Sequence, residues 1–371
     1  MQHIYYFCDI SNIYMSFSAT YPFDLPQLPP HIDCNSAAFN KTLLLARTEL
    51  AELKGYSSSL PNPMLLLSPA IIKESVASSE IENINTTVEK VLQQQLFPET
   101  EQKIENKEVI RYKDAIITGF EKLNKIPLSN RLIISIHKQL LQERSHGYRK
   151  NQNRIENTLT SEVLYTPPAA TEIARLISNW EKYIHTTDEN IDPLIRCAIS
   201  HYQFEAIHPF SDGNGRTGRI LMVLYLVQEQ ILHYPILFIS GYINRNRADY
   251  YRLLRQVTTD GNWCEYIEYM LRGFYLQAKE TKEQLLKVRD LLYQYKTEIK
   301  KKCPNIYSSD LVETMFSFPI ITPVKLGSLL DIHYTTATRY LKQLTENNFL
   351  QHQPLGKYQL YINKKLIMIL K

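Results

Sequence analysis

A mainly α-helical chain with a small helix-turn-helix domain at its C-terminal end is what the sequence predicts, on three observations. Only 11 of the 371 residues are glycine, while Leu, Ile, Glu, Lys and Gln are abundant, a composition that favours helix over sheet. Apolar residues recur at three-and-four spacing in one segment after another. Near the end, three short helical segments run into two β-like segments around a turn. The length suits two or three domains with real cores. A hydrophobic share of 44% with 22% charged residues is ordinary for a soluble globular protein. No apolar run is long enough to span a membrane, so an integral membrane protein is not expected. The N-terminus, with Tyr5, Tyr6, Phe7 and Asp9, lacks the charged region of a signal peptide.

In chain order, Pro22, Pro26, Pro29 and Pro30 make residues 1–35 irregular. Leu43, Leu44, Leu45, Leu50 and Leu53 mark a helix over 37–53, ended by Gly55. Ser68-Pro69 reads as an N-cap with proline at the first helical position. That helix closes on Ser78-Ser79-Glu80-Ile81-Glu82-Asn83, placing two glutamates where the helix dipole disfavours anions by about 0.3–1 kcal/mol each. A solvated end with Asn83 as C-cap is the plain reading; a broken local rule that marks function is the sharper one. Pro127 separates helices over 109–123 and 130–141. Gly147-Tyr148-Arg149 and a polar stretch to Ser161 lead to Val163-Leu164-Tyr165-Thr166-Pro167-Pro168, which reads as an edge or hairpin loop. Helices over 173–183 and 193–204 follow.

They feed the run His208-Pro209-Phe210-Ser211-Asp212-Gly213-Asn214-Gly215-Arg216-Thr217-Gly218-Arg219, a loop opening an apolar helix. Gly213, Asn214 and Gly215 accept the backbone of a tight turn, whose successive N–H groups form an anion nest at the helix's positive end. Arg216 and Arg219 share a face of that helix's first turn, where cations oppose the dipole unless an anion is held nearby. Asp212 is a hard oxygen ligand suited to Mg²⁺ on a polyphosphate, and His208 can carry a proton near neutral pH. Together these describe phosphoryl or nucleotidyl transfer. Beyond the run, Tyr250 and Tyr251 can wall an adenine or simply pack in a core, with Asn246 and Thr258 as further pocket candidates.

Residues 280–302 read as a charged connecting helix without a wide apolar face. Helices over 308–318, 324–330 and 335–347, then strands over 349–353 and 358–362 around Pro354-Leu355-Gly356, form a winged helix-turn-helix pattern. Thr335, Thr336, Thr338, Arg339 and Lys342 fall on its recognition helix and Lys357 on its wing. Residues 281–371 hold 14 Lys/Arg against 7 Asp/Glu, which keeps DNA in play there, although docking against the core or a partner is favoured. The five cysteines, Cys8, Cys34, Cys197, Cys264 and Cys303, are scattered without metal-ligand spacing and read as reduced packing thiols of a cytoplasmic protein.

The run 208–219 resembles, residue for residue, the Fic family signature H-P-F-x-[DE]-G-N-G-R-x-x-R. The resemblance implies a Fic-type helical core with a short β-hairpin flap, and transfer of AMP from Mg·ATP to a Ser, Thr or Tyr hydroxyl of a protein target, itself included. It implies His208 as the base, Asp212 as the Mg²⁺ ligand, Gly213, Asn214, Gly215 and Arg216 as the phosphate cradle, and Arg219 at the γ-phosphate. The stretch 163–168 resembles the family's flap, which sets Val163, Leu164 and Tyr165 against the target, and an edge strand can hold such a segment by backbone pairing. Ser78, Glu82 and Asn83 stand at the fixed positions of [ST]-x-x-x-E-[GN], similar to the inhibitory motif of regulated Fic proteins. The resemblance implies that Glu82 pairs with Arg219 and occupies the place of the γ-phosphate.

The expected division is an N-terminal helical region over 1–105, a catalytic core over 106–279, a connector over 280–304 and the winged domain over 305–371. The intact Gly213-Asn214-Gly215-Arg216 favours AMP over phosphate as the group moved. Removal of AMP, another nucleotide or phosphoryl transfer on the same scaffold, and a nucleotide-sensing DNA-binding regulator are the alternatives. A homodimer is left open.

Overall fold

The computed structural model of the chain describes residues 17–58, 63–157, 160–186 and 191–371. An N-terminal arm leads into α1 (Ala37–Ser58), α2 (Pro63–Ile81), α3 (Val88–Gln94), α4 (Ile104–Leu123) and α5 (Asn130–Leu141). A hairpin of β1 (Ile155–Glu156) and β2 (Val163–Tyr165) follows, antiparallel, with Ile155 opposite Tyr165 and Glu156 opposite Val163. Then come α6 (Ile173–Ile184), α7 (Pro193–Ile207), α8 (Asn214–Gln228), α9 (Ile239–Arg245), α10 (Arg247–Asp260) and α11 (Trp263–Lys302). The C-terminal region comprises α12 (Ser309–Ser317), β3 (Ile320–Ile321), α13 (Pro323–Leu330), α14 (Tyr334–Glu346), β4 (Gln351–Leu355), β5 (Tyr358–Ile362) and α15 (Lys364–Leu370), its strands in the order β3-β5-β4. The class is mainly α, as expected, with three C-terminal helices and a β-hairpin in the expected order.

The chain is built around α8. Apart from Gly215, its residues from Asn214 to Val227 are all buried, against α7, α4, α5 and α2. A helix surrounded on every side needs no amphipathic period, which is why the run 220–227 is continuously apolar. The preceding helix, α7, starts on Asp192, whose Oδ1 accepts the Leu194 N–H at 2.8 Å, with Pro193 in the first turn, where no amide is missed. Asp192 also pairs with Arg47 at 2.8 Å, tying α1 to this start. Packing of α1 against α11, through buried Leu50 and Leu53, carries α1 past Gly55 to Ser58. Burying each such leucine contributes about 1.5–3 kcal/mol, more than the roughly 1 kcal/mol cost of an interior glycine.

Three further expectations are corrected, and one helix is added. Pro63, and not Pro69, opens α2; proline suits a first turn, and α2 runs on through Pro69 despite the bond that residue cannot donate. Residues 280–302 are the second half of one 40-residue helix, with Leu285, Val288, Leu292, Tyr295 and Ile299 buried. These recur at three-and-four spacing as a narrow apolar stripe on an otherwise charged helix. Cys34 and Cys264 form a disulfide, so only Cys197 and Cys303 are free buried thiols among the described residues; Cys8 lies outside these. The bonded pair is 230 residues apart, so no local spacing announces it, and the cysteines no longer argue for a reducing compartment. Last, α15 was not foreseen; Leu366, Ile367 and Leu370 bury its inner face.

The wing is docked. Phe97 stacks on Tyr358 at 4.4 Å, Glu101 takes the Lys357 amine at 2.7 Å and the Tyr358 hydroxyl at 2.8 Å, and α12 packs on α2. On α14, Thr335, Arg339 and Lys342 remain exposed, while Thr336 and Thr338 are half-buried.

Candidate active site

Two left-handed residues shape the turn between α7 and α8. His208 ends α7 at φ 48°, and Gly213 precedes α8 at φ 75°, a conformation that favours glycine. Asn214 braces the turn in both directions: its Oδ1 accepts the Phe210 N–H and its Nδ2 donates to the Phe210 carbonyl, both at 2.8 Å. The Asn214 side chain is therefore engaged within the turn, leaving backbone amides to line the nest.

Three residues that the sequence reading assigned no role hold this turn from outside. Arg149 donates from Nε to the His208 carbonyl at 2.9 Å and from Nη2 to the Pro168 carbonyl at 2.5 Å, stitching the turn to the end of the hairpin. His137 stacks on Phe210 at 3.6 Å and lies 3.0 Å from the Asp212 carbonyl. Glu108 on α4 pairs with Arg216 at 2.7 Å and with Arg144 at 2.8 Å. Nothing local marks them, apart from Arg149 lying beside a glycine and a tyrosine before the hairpin. An Arg149→Lys variant should lose the fork and leave buried carbonyls without donors, costing about 1–3 kcal/mol. A lowered urea midpoint at unchanged m-value is the expected measurement.

His208 is neutral here. Burial lowers its pKa to about 4, and its Nδ1 faces the Glu205 carbonyl at 3.2 Å. A carbonyl only accepts, so that bond puts the proton on Nδ1 and leaves the Nε2 lone pair free.

Arg216 is nearly covered and lies 3.4 Å from the half-exposed Asp212 carboxylate, which also has Arg144 at 3.6 Å. Among the described residues no group of three His, Cys, Asp or Glu side chains converges to hold a metal unaided. A single accessible carboxylate beside an anion nest fits Mg²⁺, which keeps several waters and takes one or two carboxylates plus phosphate oxygens.

Arg219 is 1% exposed and clamped by the end of α2. Its Nε donates to Ser78 Oγ at 2.8 Å, and its Nη2 donates to the Ser78 carbonyl at 3.0 Å and to Glu82 Oε1 at 2.8 Å. Glu82 lies just past the last helical residue, so only Glu80 sits in the disfavoured last turn. Burial alone would raise the Glu82 carboxyl, but Arg219 outweighs it and holds the pKa below the usual range. Asn83 adopts φ 62°, the left-handed cap expected, and Arg247 donates to the Ile81 carbonyl. A Cβ on Gly215 would come within 2.4 Å of Glu82 Oε1, so the carboxylate lies directly against the opening of α8.

The pocket candidates divide. Tyr250 is a core side chain whose hydroxyl meets His201 at 2.8 Å; Thr258 is buried, bonded to Tyr202 at 2.9 Å; Asn246 donates to the Tyr242 carbonyl at 2.9 Å. Tyr251 is 47% exposed, with Arg247 5.7 Å from its ring centre. In the hairpin, Val163, Leu164 and Tyr165 are half-buried; the Tyr165 hydroxyl donates to the Ala206 carbonyl at 2.9 Å, and Phe17 and Phe23 cover its ring. The N-terminal arm continues the pairing, since Phe23 N–H donates to the Thr166 carbonyl at 3.0 Å.

Residues 127–226 match the Fic/DOC family, residues 40–121 the N-terminal region of that family, and residues 291–366 the C-terminal domain of SoFic-like protein adenylyltransferases. Protein adenylyltransferase Fic of Nematostella vectensis is 29% identical over 174 residues, which are 46% of this chain and 38% of that protein. A probable protein adenylyltransferase of Aquifex aeolicus is 30% identical over 193 residues, 50% of this chain and 54% of that protein. The chain thus matches about two fifths to a half of these relatives' lengths. Among solved structures, a Fic family protein from Desulfovibrio desulfuricans superposes with TM-score 0.55 at 21% identity, covering 90% of this chain and 98% of that one. Fic-1 from C. elegans superposes with TM-score 0.50 at 18% identity, covering 66% of this chain and 73% of that one. At such identities these structures speak for the fold.

Proposed function

The chain belongs to the Fic/DOC family, and from that premise we propose that it is a protein adenylyltransferase restrained by its own second helix. It moves AMP from ATP to a Ser, Thr or Tyr hydroxyl of a protein target, itself included. The observation that carries this reading is the Glu82 carboxylate, bonded to Arg219 at 2.8 Å and pressed against Gly215 at the opening of α8. One of the protein's own anions sits on a guanidinium suited to phosphate, against the opening of a helix.

In this reading the triphosphate lies along the nest, with Arg216 beside it and Arg219 at the outermost phosphate. Asp212 would hold Mg²⁺ with the phosphates, where the ion neutralises polyphosphate charge. The target hydroxyl oxygen attacks the α-phosphorus and passes its proton to Nε2 of His208. The bond from the α-phosphorus to the bridging oxygen breaks, and pyrophosphate leaves. Positioning and charge stabilisation supply most of the acceleration. While Glu82 holds Arg219, the outer phosphate has no cation, so the α-phosphorus is not aligned for attack. Tyr251, the one pocket candidate with an open face, is the proposed contact for adenine, and the hairpin edge at Val163–Tyr165 is the proposed seat of the target segment.

The test is mass spectrometry of a lysate incubated with ATP and the Glu82→Gly protein. Hydroxyl residues carrying AMP are expected. Phosphate adducts, or none at all, would overturn the reading.

A further inference from the structure

Glu74, Ser78 and Glu82 stand four residues apart, so they follow one another along the face that α2 and its end turn to the core. Ser78 and Glu82 hold Arg219. Glu74 makes no hydrogen bond to the signature run, yet its side chain is 2% exposed. Its Oε2 accepts the Ser240 N–H at 3.1 Å, and its Oε1 accepts the Ser240 hydroxyl and, at 3.2 Å, the Tyr112 hydroxyl. No ion pair among the described residues includes it. Burial pushes its carboxyl up to about 7, against the pull of these hydrogen bonds and of the Arg219 charge.

A buried acid served only by neutral donors is a poor way to stabilise a helix, since an apolar side chain of similar volume avoids the desolvation cost. The same face buries Ser75, Ser78 and Ser79 beside Ile71 and Ile81, so apolar contact presses α2 against the core there. Such contact is non-directional, and the hydrogen bonds of Glu74 add the direction it lacks. The partners of Glu74 come from two different helices, Ser240 on α9 and Tyr112 on α4. A side chain held from two directions sets both the rotation of α2 and its position along its axis. Glu82 lies eight residues on, about 12 Å at 1.5 Å per residue, and inherits that register.

We infer that Glu74 is the anchor of the restraining helix: its bonds to Ser240 and Tyr112 fix α2 in the register that delivers Ser78 and Glu82 to Arg219. It is a positioning residue, acting through the clamp and not on substrate. The inference rests on the reading of Glu82 as the restraint.

The experiment measures AMP incorporation from labelled ATP by the full chain, as wild type, Glu74→Ala, Glu74→Gln, Glu82→Gly and the Glu74→Ala/Glu82→Gly double variant. Glu74→Ala removes every bond of the anchor and should raise incorporation about tenfold over wild type, the worth of a hydrogen bond to a charged group. Glu74→Gln keeps an acceptor for the Ser240 N–H, and both hydroxyls can rotate to suit it, so restraint should be largely restored. In the Glu82→Gly background the alanine change should alter the rate less than about twofold, because its effect passes through a clamp already absent. Amide exchange over residues 71–81 should quicken in Glu74→Ala, with α8 unchanged. Should Glu74→Ala fail to fold, Ser240→Ala removes a single donor and should release about threefold.

Wild-type-like incorporation by Glu74→Ala or, in its stead, Ser240→Ala, with Glu82→Gly active, overturns the inference and leaves the enzymatic reading standing. A large change in the Glu82→Gly background overturns it too, by placing Glu74 outside the clamp. An inactive Glu82→Gly protein removes the restraint reading and this inference with it.

Discussion

Replacing Glu82 with glycine should raise AMP incorporation about ten- to a hundredfold, the worth of about 1.5–3 kcal/mol for a charge-assisted hydrogen bond at a buried cation. The carboxylate meets Arg219 at 2.8 Å and lies against Gly215, so its removal clears both the guanidinium and the opening of α8. Ser78, which holds Nε at 2.8 Å, is untouched by the substitution and should keep Arg219 oriented while its outer edge is freed. The sign of the pH dependence follows from the lowered Glu82 pKa. The clamp's contribution is fully present above the ordinary carboxylate value and is lost as pH falls through the depressed one. At neutral pH the wild type should therefore stay restrained. Incorporation from labelled ATP, compared at equal enzyme concentration, checks this; a glycine variant no faster than wild type would end the claim of restraint.

Replacing His208 with alanine, in the Glu82→Gly background, should cut transfer by about 10²–10⁴, the usual share of a general base. ATP affinity should change little, because the phosphate seat is made of α8 amides and arginines and not of the imidazole. Since burial lowers His208 to about 4, the imidazole of the free enzyme stays neutral throughout the range where an exposed histidine titrates. The acid limb of kcat/KM that His208 contributes in Glu82→Gly should accordingly lie below about pH 5, and not near 6.5. Undiminished transfer by the alanine variant would discard the assignment of His208, and lost ATP binding would mean that the turn itself had collapsed.

Much of the site was legible because its residues are contiguous. From His208 to Arg219 the chain itself places an imidazole, a carboxylate, a nest and two arginines around one turn, which left-handed backbone at His208 and Gly213 shapes while Gly215 is already helical. The end of α2 stood out for a similar reason, since Ser78, Glu82 and Asn83 are close in the chain, although of the two glutamates only Glu80 falls in the helix's last turn. The roles of Arg149, His137 and Glu108 were not, because each acts on a turn more than fifty residues away, and a lone arginine or histidine looks alike whether it braces a loop or faces water. Tyr250 and Thr258 were misleading for the complementary reason: an aromatic or hydroxyl side chain that can line a pocket can equally complete a core, and here His201 and Tyr202 take them inward.

Sequence alone determined the helical class and gathered the imidazole, carboxylate, glycines and arginines of residues 208–219 at one turn, because backbone propensity and short-range spacing act within a few residues. Tertiary structure alone decided that Cys34 meets Cys264, that Lys357 at the β4–β5 turn is held by Glu101, that residues 280–302 extend the core's longest helix, and that Glu74 is buried between α4 and α9. Each of those depends on which distant surfaces meet when apolar area is buried. That choice is made by the summed packing of the whole chain, and no short stretch of residues encodes it.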